Sequence, residues 1–156
     1  MKQQSTREEV SDLRTHTGFW LRFVSNAVSY GFARKLEGSG VTVAEWVVLR
    51  EMFGAGATSP SAVAASTGLT RGAISKLVDR LVQKGLVSRA EATVDRRFQD
   101  VALTEAGRAL VPKLAAIADR NDGEFFASLS GEERERLMTT LKKLVMTNHL
   151  ERFPTS

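Results

Sequence analysis

Between Ser59 and Thr104 the chain passes, without a gap, through two short helix patterns, a glycine turn and two short strand patterns around a charged tip. The second helix pattern opens at Thr70 and stops at Gly85. Its apolar residues Ile74, Leu77, Val78 and Leu81 recur at helical spacing and make one buried face. The opposite face carries Arg71, Gly72, Ser75, Lys76 and Asp79. These residues are small, basic or hydrogen-bonding, and they leave room to approach base edges in a major groove about 12 Å wide. A basic amphipathic helix taken alone is commonly a solvated face, so the flanking segments decide its meaning.

Those flanks are specific. Ser59-Pro60 places a capping hydroxyl before a proline at the first helical position, where the missing N–H costs nothing. Ala62, Val63 and Ala65 then supply a short apolar stripe, Ala64 is small enough for close helix packing, and Gly68 supplies the left-handed residue that ends the helix. After Gly85, residues 86–90 form one strand and 99–103 another, with Asp95-Arg96-Arg97 at the tip between them. A hairpin in isolation is an ordinary surface feature. Directly after a basic helix, one with two tip arginines fits a wing entering the minor groove, whose negative potential attracts arginine. The order is that of a winged helix-turn-helix, and it implies double-stranded DNA as the partner. Ser59, Thr70, Arg71, Gly72, Ser75, Lys76, Arg96 and Arg97 form the expected DNA-facing set. Arg71, Lys76, Arg96 and Arg97 together favour DNA over a protein-interaction role, and Gly72 and Ser75 favour sequence-specific over architectural binding.

Gly85-Leu86-Val87, then Asp95-Arg96-Arg97, then Leu103-Thr104-Glu105-Ala106-Gly107 resemble the wing signature of the MarR family of transcriptional regulators. That signature is Asp-x-Arg followed at fixed distance by Leu-Thr and Gly, and the likeness extends over about residues 10–150. The resemblance implies that Arg97 reaches DNA from the wing, that Asp95 orients it, and that residues 70–76 read bases. Many relatives carry an earlier Asp and Arg in the wing, where this chain has Ala92 and Val94. The family further implies a homodimer that represses transcription from a pseudo-palindromic operator and releases DNA when a small ligand binds. Such ligands, often aromatic acids, occupy a crevice between the dimer helices and the reading head. Here the expected lining is His16, Trp20, Arg22, Phe23, Trp46 and Arg50.

Composition agrees. The chain has 156 residues, enough for one domain with a real core. Lys and Arg number 22 against 18 Asp and Glu, for a net charge of +4 and a pI near 9.8, which favours a polyanionic partner. Without cysteine there is no thiol switch, disulfide or thiolate metal site. No stretch approaches a membrane span and the N-terminus has no apolar core, so a cytoplasmic location is expected. His16 and His149, the only histidines, have no partners at metal-ligand spacing, and no nucleophile or phosphate-loop motif is present. The expectation is a non-enzymatic protein without cofactor or metal.

The rest reads as helices of one mostly α domain spanning 1–156, with residues 42–103 as the DNA-binding region and 7–38 and 104–150 as dimerisation helices. A first helix is expected from about residue 7 to residue 36, with apolar residues too widely spread for one side of a small domain to cover. Gly38-Ser39-Gly40 stops it. Thr42 and Glu45 then match a capping box with Val41 placed to staple against Trp46, and residues 54–58 read as a flexible connection. Thr104 caps a helix expected to reach about Leu129, bent near Pro112. Ser130 and Glu133 form a second capping box before a last helix whose apolar residues are Leu137, Leu141, Leu144 and Val145. Long apolar helices at both ends fit a subunit interface that holds two reading helices about one DNA turn apart.

Overall fold

The computed structural model describes residues 10–91 and 99–150. Its helices are α1 (Thr17–Leu36), α2 (Val43–Met52), α3 (Pro60–Thr67), α4 (Arg71–Gln83), α5 (Glu105–Phe125) and α6 (Gly131–Thr147). Two strands, β1 (Val87–Glu91) and β2 (Gln99–Leu103), lie between α4 and α5 and pair antiparallel, with Val87 opposite Leu103 and Arg89 opposite Val101. The fold is a winged helix-turn-helix flanked by long terminal helices. The tip residues Asp95, Arg96 and Arg97, with Ala92 and Val94, lie outside the described residues.

Local chemistry sets the helix boundaries. The Thr42 hydroxyl accepts the Glu45 N–H at 3.2 Å while the Glu45 carboxylate accepts the Thr42 N–H at 3.0 Å. Ser130 and Glu133 repeat the reciprocal arrangement at α6. Such caps are worth about 1 kcal/mol each. The first helix is shorter than its periodicity suggests: Asp12 accepts the Arg14 N–H at 2.8 Å and closes a 3₁₀ turn at Leu13–Thr15. His16 then adopts an extended conformation, and the α-helix begins at Thr17. At the other end α5 stops at Phe125 rather than near Leu129, because the chain turns back with the Leu129 N–H on the Phe126 carbonyl. It runs unbroken through Pro112.

Two further expectations need correction. In α3 the buried side is Val63, Ala64 and Thr67, whereas Ala62 and Ala65 are exposed, because α3 turns its 63–64–67 face toward the core. The 54–58 connection is tied at its end: Thr58 and Val101 exchange two backbone hydrogen bonds, of 2.9 and 2.7 Å, adding a bridge to the edge of β2. The reading head therefore approaches α3 from a fixed point.

The core gathers Leu36 of α1, Val48, Leu49 and Met52 of α2, Ile74, Val78 and Leu81 of α4, Val101 of β2, and Val111 and Leu114 of α5. Asn121 crosses from α5 to α1, donating to the Val28 carbonyl at 3.2 Å and accepting from Lys35 at 3.0 Å. The outer surface of α1 is a contrast. Trp20, Leu21, Phe23, Val24 and Tyr30 are exposed there, and α6 buries no residue at all.

Candidate nucleic-acid interface

The interface is built from the two helix starts. At α3 the Ser59 hydroxyl accepts the Ala62 N–H at 3.1 Å and Pro60 follows it; at α4 the Thr70 hydroxyl accepts the Ala73 N–H, also at 3.1 Å. Gly68, at φ 72°, makes the turn between them in the left-handed region that glycine occupies without strain. Leu77, Val78, Leu81 and Ile74 fasten α4 to the core. That packing leaves Arg71, Gly72, Ser75, Lys76 and Asp79 exposed together, along about 12 Å of helix at 1.5 Å per residue. Thr70 is exposed beside them and Ser59 is half-buried, with its hydroxyl engaged in the cap. A β-carbon at Gly72 would touch nothing within 4 Å, so this part of the surface is open.

Arg89 of β1 pairs with Asp79, a contact absent from the sequence reading. Strand alternation could have found it, since Arg89 is two residues from the buried Val87 and so shares the face turned toward α4. The ion pair neutralises the one carboxylate among these exposed α4 residues, where it would otherwise repel phosphate. It also ties β1 to the flank of the reading helix.

The base of the hairpin is clamped to α5. Thr104 donates its N–H to the Leu86 carbonyl at 3.0 Å and its hydroxyl to the Gly85 carbonyl at 2.7 Å, and it accepts the Gly107 N–H at 3.1 Å. Gly107 is required by space: a β-carbon there would lie 2.2 Å from the Leu86 carbonyl oxygen. The Leu-Thr and Gly of the wing signature thus have a structural meaning, fixing where the hairpin leaves the head.

Behind the reading helix, Lys84 donates to the Glu45 carboxylate at 2.7 Å and to the Gly40 carbonyl at 2.6 Å. Burial, the strongest influence on the Glu45 carboxyl, pushes its pKa up. The Lys84 hydrogen bond, the Thr42 N–H and the charges of Lys84 and Arg80 together outweigh it and hold the group below its ordinary value of 4.5.

The residues expected to line a ligand crevice lie at the start of α1 and on α2. Trp20 and Phe23 cluster with Phe19, the ring centres 5.2 to 6.5 Å apart, and the Trp20 indole donates to the Arg14 carbonyl. His16 caps the start of α1, with Nδ1 3.3 Å from the Leu13 carbonyl, and Arg22 is exposed. Trp46 packs edge-on against Phe32, 6.3 Å away, and Arg50 is exposed on α2. A groove of about 420 Å³ does lie on α1, between it and α6, but Leu21, Val24, Val28, Leu137, Met138 and Leu141 line it with Arg134 at its edge. Among the described residues, no cluster of acidic residues and histidines could hold a metal, and no helix is long and apolar enough to cross a membrane.

Comparison with known proteins agrees with this geometry. A sequence model of the MarR family matches residues 39–97. A putative transcriptional regulatory protein for the hcr operon of Thauera aromatica is 33% identical over 128 residues, which cover 81% of this chain and 77% of that protein. The structure of Bordetella bronchiseptica BpsR, whose DNA binding is regulated by 6-hydroxynicotinic acid, superposes with a TM-score of 0.80 at 27% identity, covering 86% of this chain and 96% of BpsR. A mutant MarR from E. coli complexed with operator DNA superposes with a TM-score of 0.79 at 26% identity, covering 86% of this chain and 99% of the other. Fold and surface define a winged-helix regulator of transcription. The chain belongs to the MarR family.

Proposed function

We propose that the chain acts in the cytoplasm as a homodimer on a pseudo-palindromic operator, as a repressor that a small aromatic or anionic ligand releases, and that it carries no catalytic activity. The observation that carries this reading is the α4 surface: Arg71, Gly72, Ser75 and Lys76 stand clear of the core on a helix capped at Thr70. The reading extends to the wing, where the family signature implies that Arg97 reaches DNA with Asp95 as its orienting partner and Arg96 beside it in sequence. Support for the dimer is the set of exposed apolar residues on α1 and α6, among them Phe23 at 63% and Met146 at 76%, since contiguous apolar surface marks association. Support for an effector is the likeness to BpsR.

Two measurements test the reading together. Sedimentation equilibrium at micromolar concentration is expected to give twice the 17.1 kDa chain mass. Footprinting on sequences selected from random DNA is expected to show paired half-sites about 10 base pairs apart, or a multiple of the helical turn. A monomer, or protection without sequence preference, overturns the reading and returns an architectural role.

A further inference from the structure

Lys84 is the C-cap residue of α4, and Glu45 lies in the first turn of α2. The Glu45 side chain is 1% exposed and that of Lys84 37%. One carboxylate oxygen, Oε2, accepts both the Thr42 N–H and the Lys84 ammonium, while the same ammonium donates to the carbonyl of Gly40, just beyond the end of α1. Three segments thus meet at one cation: the exit of α1, the entry of α2 and the exit of the reading helix. The charges also match the helix ends, a carboxylate at the positive start of α2 and an ammonium at the negative end of α4.

We propose that Lys84 and Glu45 are positioning residues that lock the end of the reading helix to the α1–α2 junction, so that the angle of α4 follows α1. The inference rests on the reading of the chain as a DNA-binding dimer. Burial of Ile74, Leu77, Val78 and Leu81 holds α4 on the head and sets its general crossing angle, whereas Lys84 lies beyond that apolar face at the end of the helix. The hydrogen bonds of Lys84 are directional and sit at the far end of the helix from Arg71. Thirteen residues separate them, about 20 Å at 1.5 Å per residue, so a tilt of about 10° at Lys84 moves the reading end by about 3 Å. Two reading helices that must enter successive major grooves cannot both absorb such a displacement.

The test uses the full-length protein and a set of operators whose half-sites are moved one or two base pairs closer or farther apart. Lys84→Met removes the cation; Glu45→Gln keeps an acceptor for the Thr42 N–H and removes the charge that draws Lys84. Wild type is expected to prefer one separation. Both variants are expected to lose affinity there by roughly tenfold, the scale of one mismatched base pair, and to discriminate less between separations. The two substitutions change net charge in opposite directions, so a purely electrostatic effect weakens Lys84→Met at every separation and strengthens Glu45→Gln. That pattern, or an unchanged separation profile in both variants, overturns the lock. If Lys84→Met fails to fold, the profile of Glu45→Gln decides. Wild type without a preferred separation overturns the dimeric DNA reading, and the lock with it.

Discussion

Gly72 and Gly107 both lie near the start of a helix, yet a methyl group added to each meets different surroundings. At Gly72 it meets nothing within 4 Å, and Gly72 is not among the glycines with positive φ. Gly72→Ala is therefore expected to melt at or above the wild-type temperature, since alanine in a helix gains up to about 1 kcal/mol over glycine. Operator affinity should nevertheless fall, because the methyl projects where base edges approach. Thermal melts and a fluorescence titration on one operator separate the two effects, and unchanged affinity would remove Gly72 from the interface. At Gly107 the methyl runs into the Leu86 carbonyl. Gly107→Ala is expected to destabilise by about 1–3 kcal/mol through forced movement of backbone. For a domain of this size each kcal/mol corresponds to about 2–4 °C of melting temperature. A melt within a degree of wild type would contradict the clamp. Gly72 is legible in the sequence as a small residue on a polar face. Gly107 is marked there only by the family signature, since no spacing rule reveals that a carbonyl 21 residues earlier lies against it.

Most caps and stops made by contacts three or four residues apart follow from the sequence, the 3₁₀ turn at Leu13–Thr15 and the early end of α5 excepted, and contacts between distant partners do not. The capping boxes at Thr42 and Ser130, the Ser59-Pro60 start and the stop at Gly85 are all local, and each stands where its residues indicate. The tie between Thr58 and Val101 and the pairs Asp79–Arg89 and Glu45–Lys84 depend on how elements come together, which periodicity does not encode. Glu45 also shows how the ambiguity arises: its capping role is visible in sequence, its role as partner to Lys84 is not. That second role has a pH signature. The folded carboxyl titrates below its ordinary value of 4.5, so its contribution to stability is complete above that value and is lost as pH falls through the lower, folded one. Urea unfolding between about pH 5 and about pH 3 should show a steeper loss in wild type than in Glu45→Gln, whose amide does not titrate. Parallel acid limbs would mean that the pair does not hold the carboxylate in its charged form.

On the scale of the whole molecule, the apolar residues divide between a core that the chain fills itself and a surface on α1 and α6 that it does not. The excess on α1 is visible in the sequence. Which of its aromatics pack inward is not: Phe32 packs against Trp46 of α2, while Trp20 and Phe23 stay exposed on the outer part of α1. On the proposed reading, a ligand that releases DNA acts on the relation between that outer surface and the reading head, favouring a dimer whose reading helices no longer match successive grooves. Its effect can be no larger than its difference in affinity for the two arrangements, for which 1–3 kcal/mol, or about 5- to 150-fold, is ordinary. Coupling between binding sites is reciprocal, so operator DNA must weaken ligand binding by the factor with which ligand weakens DNA binding. Titration calorimetry with a panel of aromatic acids, on the free protein and on its operator complex, should return that common factor for an inducer. A compound that binds tightly and equally in both states is excluded as inducer, and a panel that yields no binding at all leaves a DNA-binding regulator without an aromatic-acid switch.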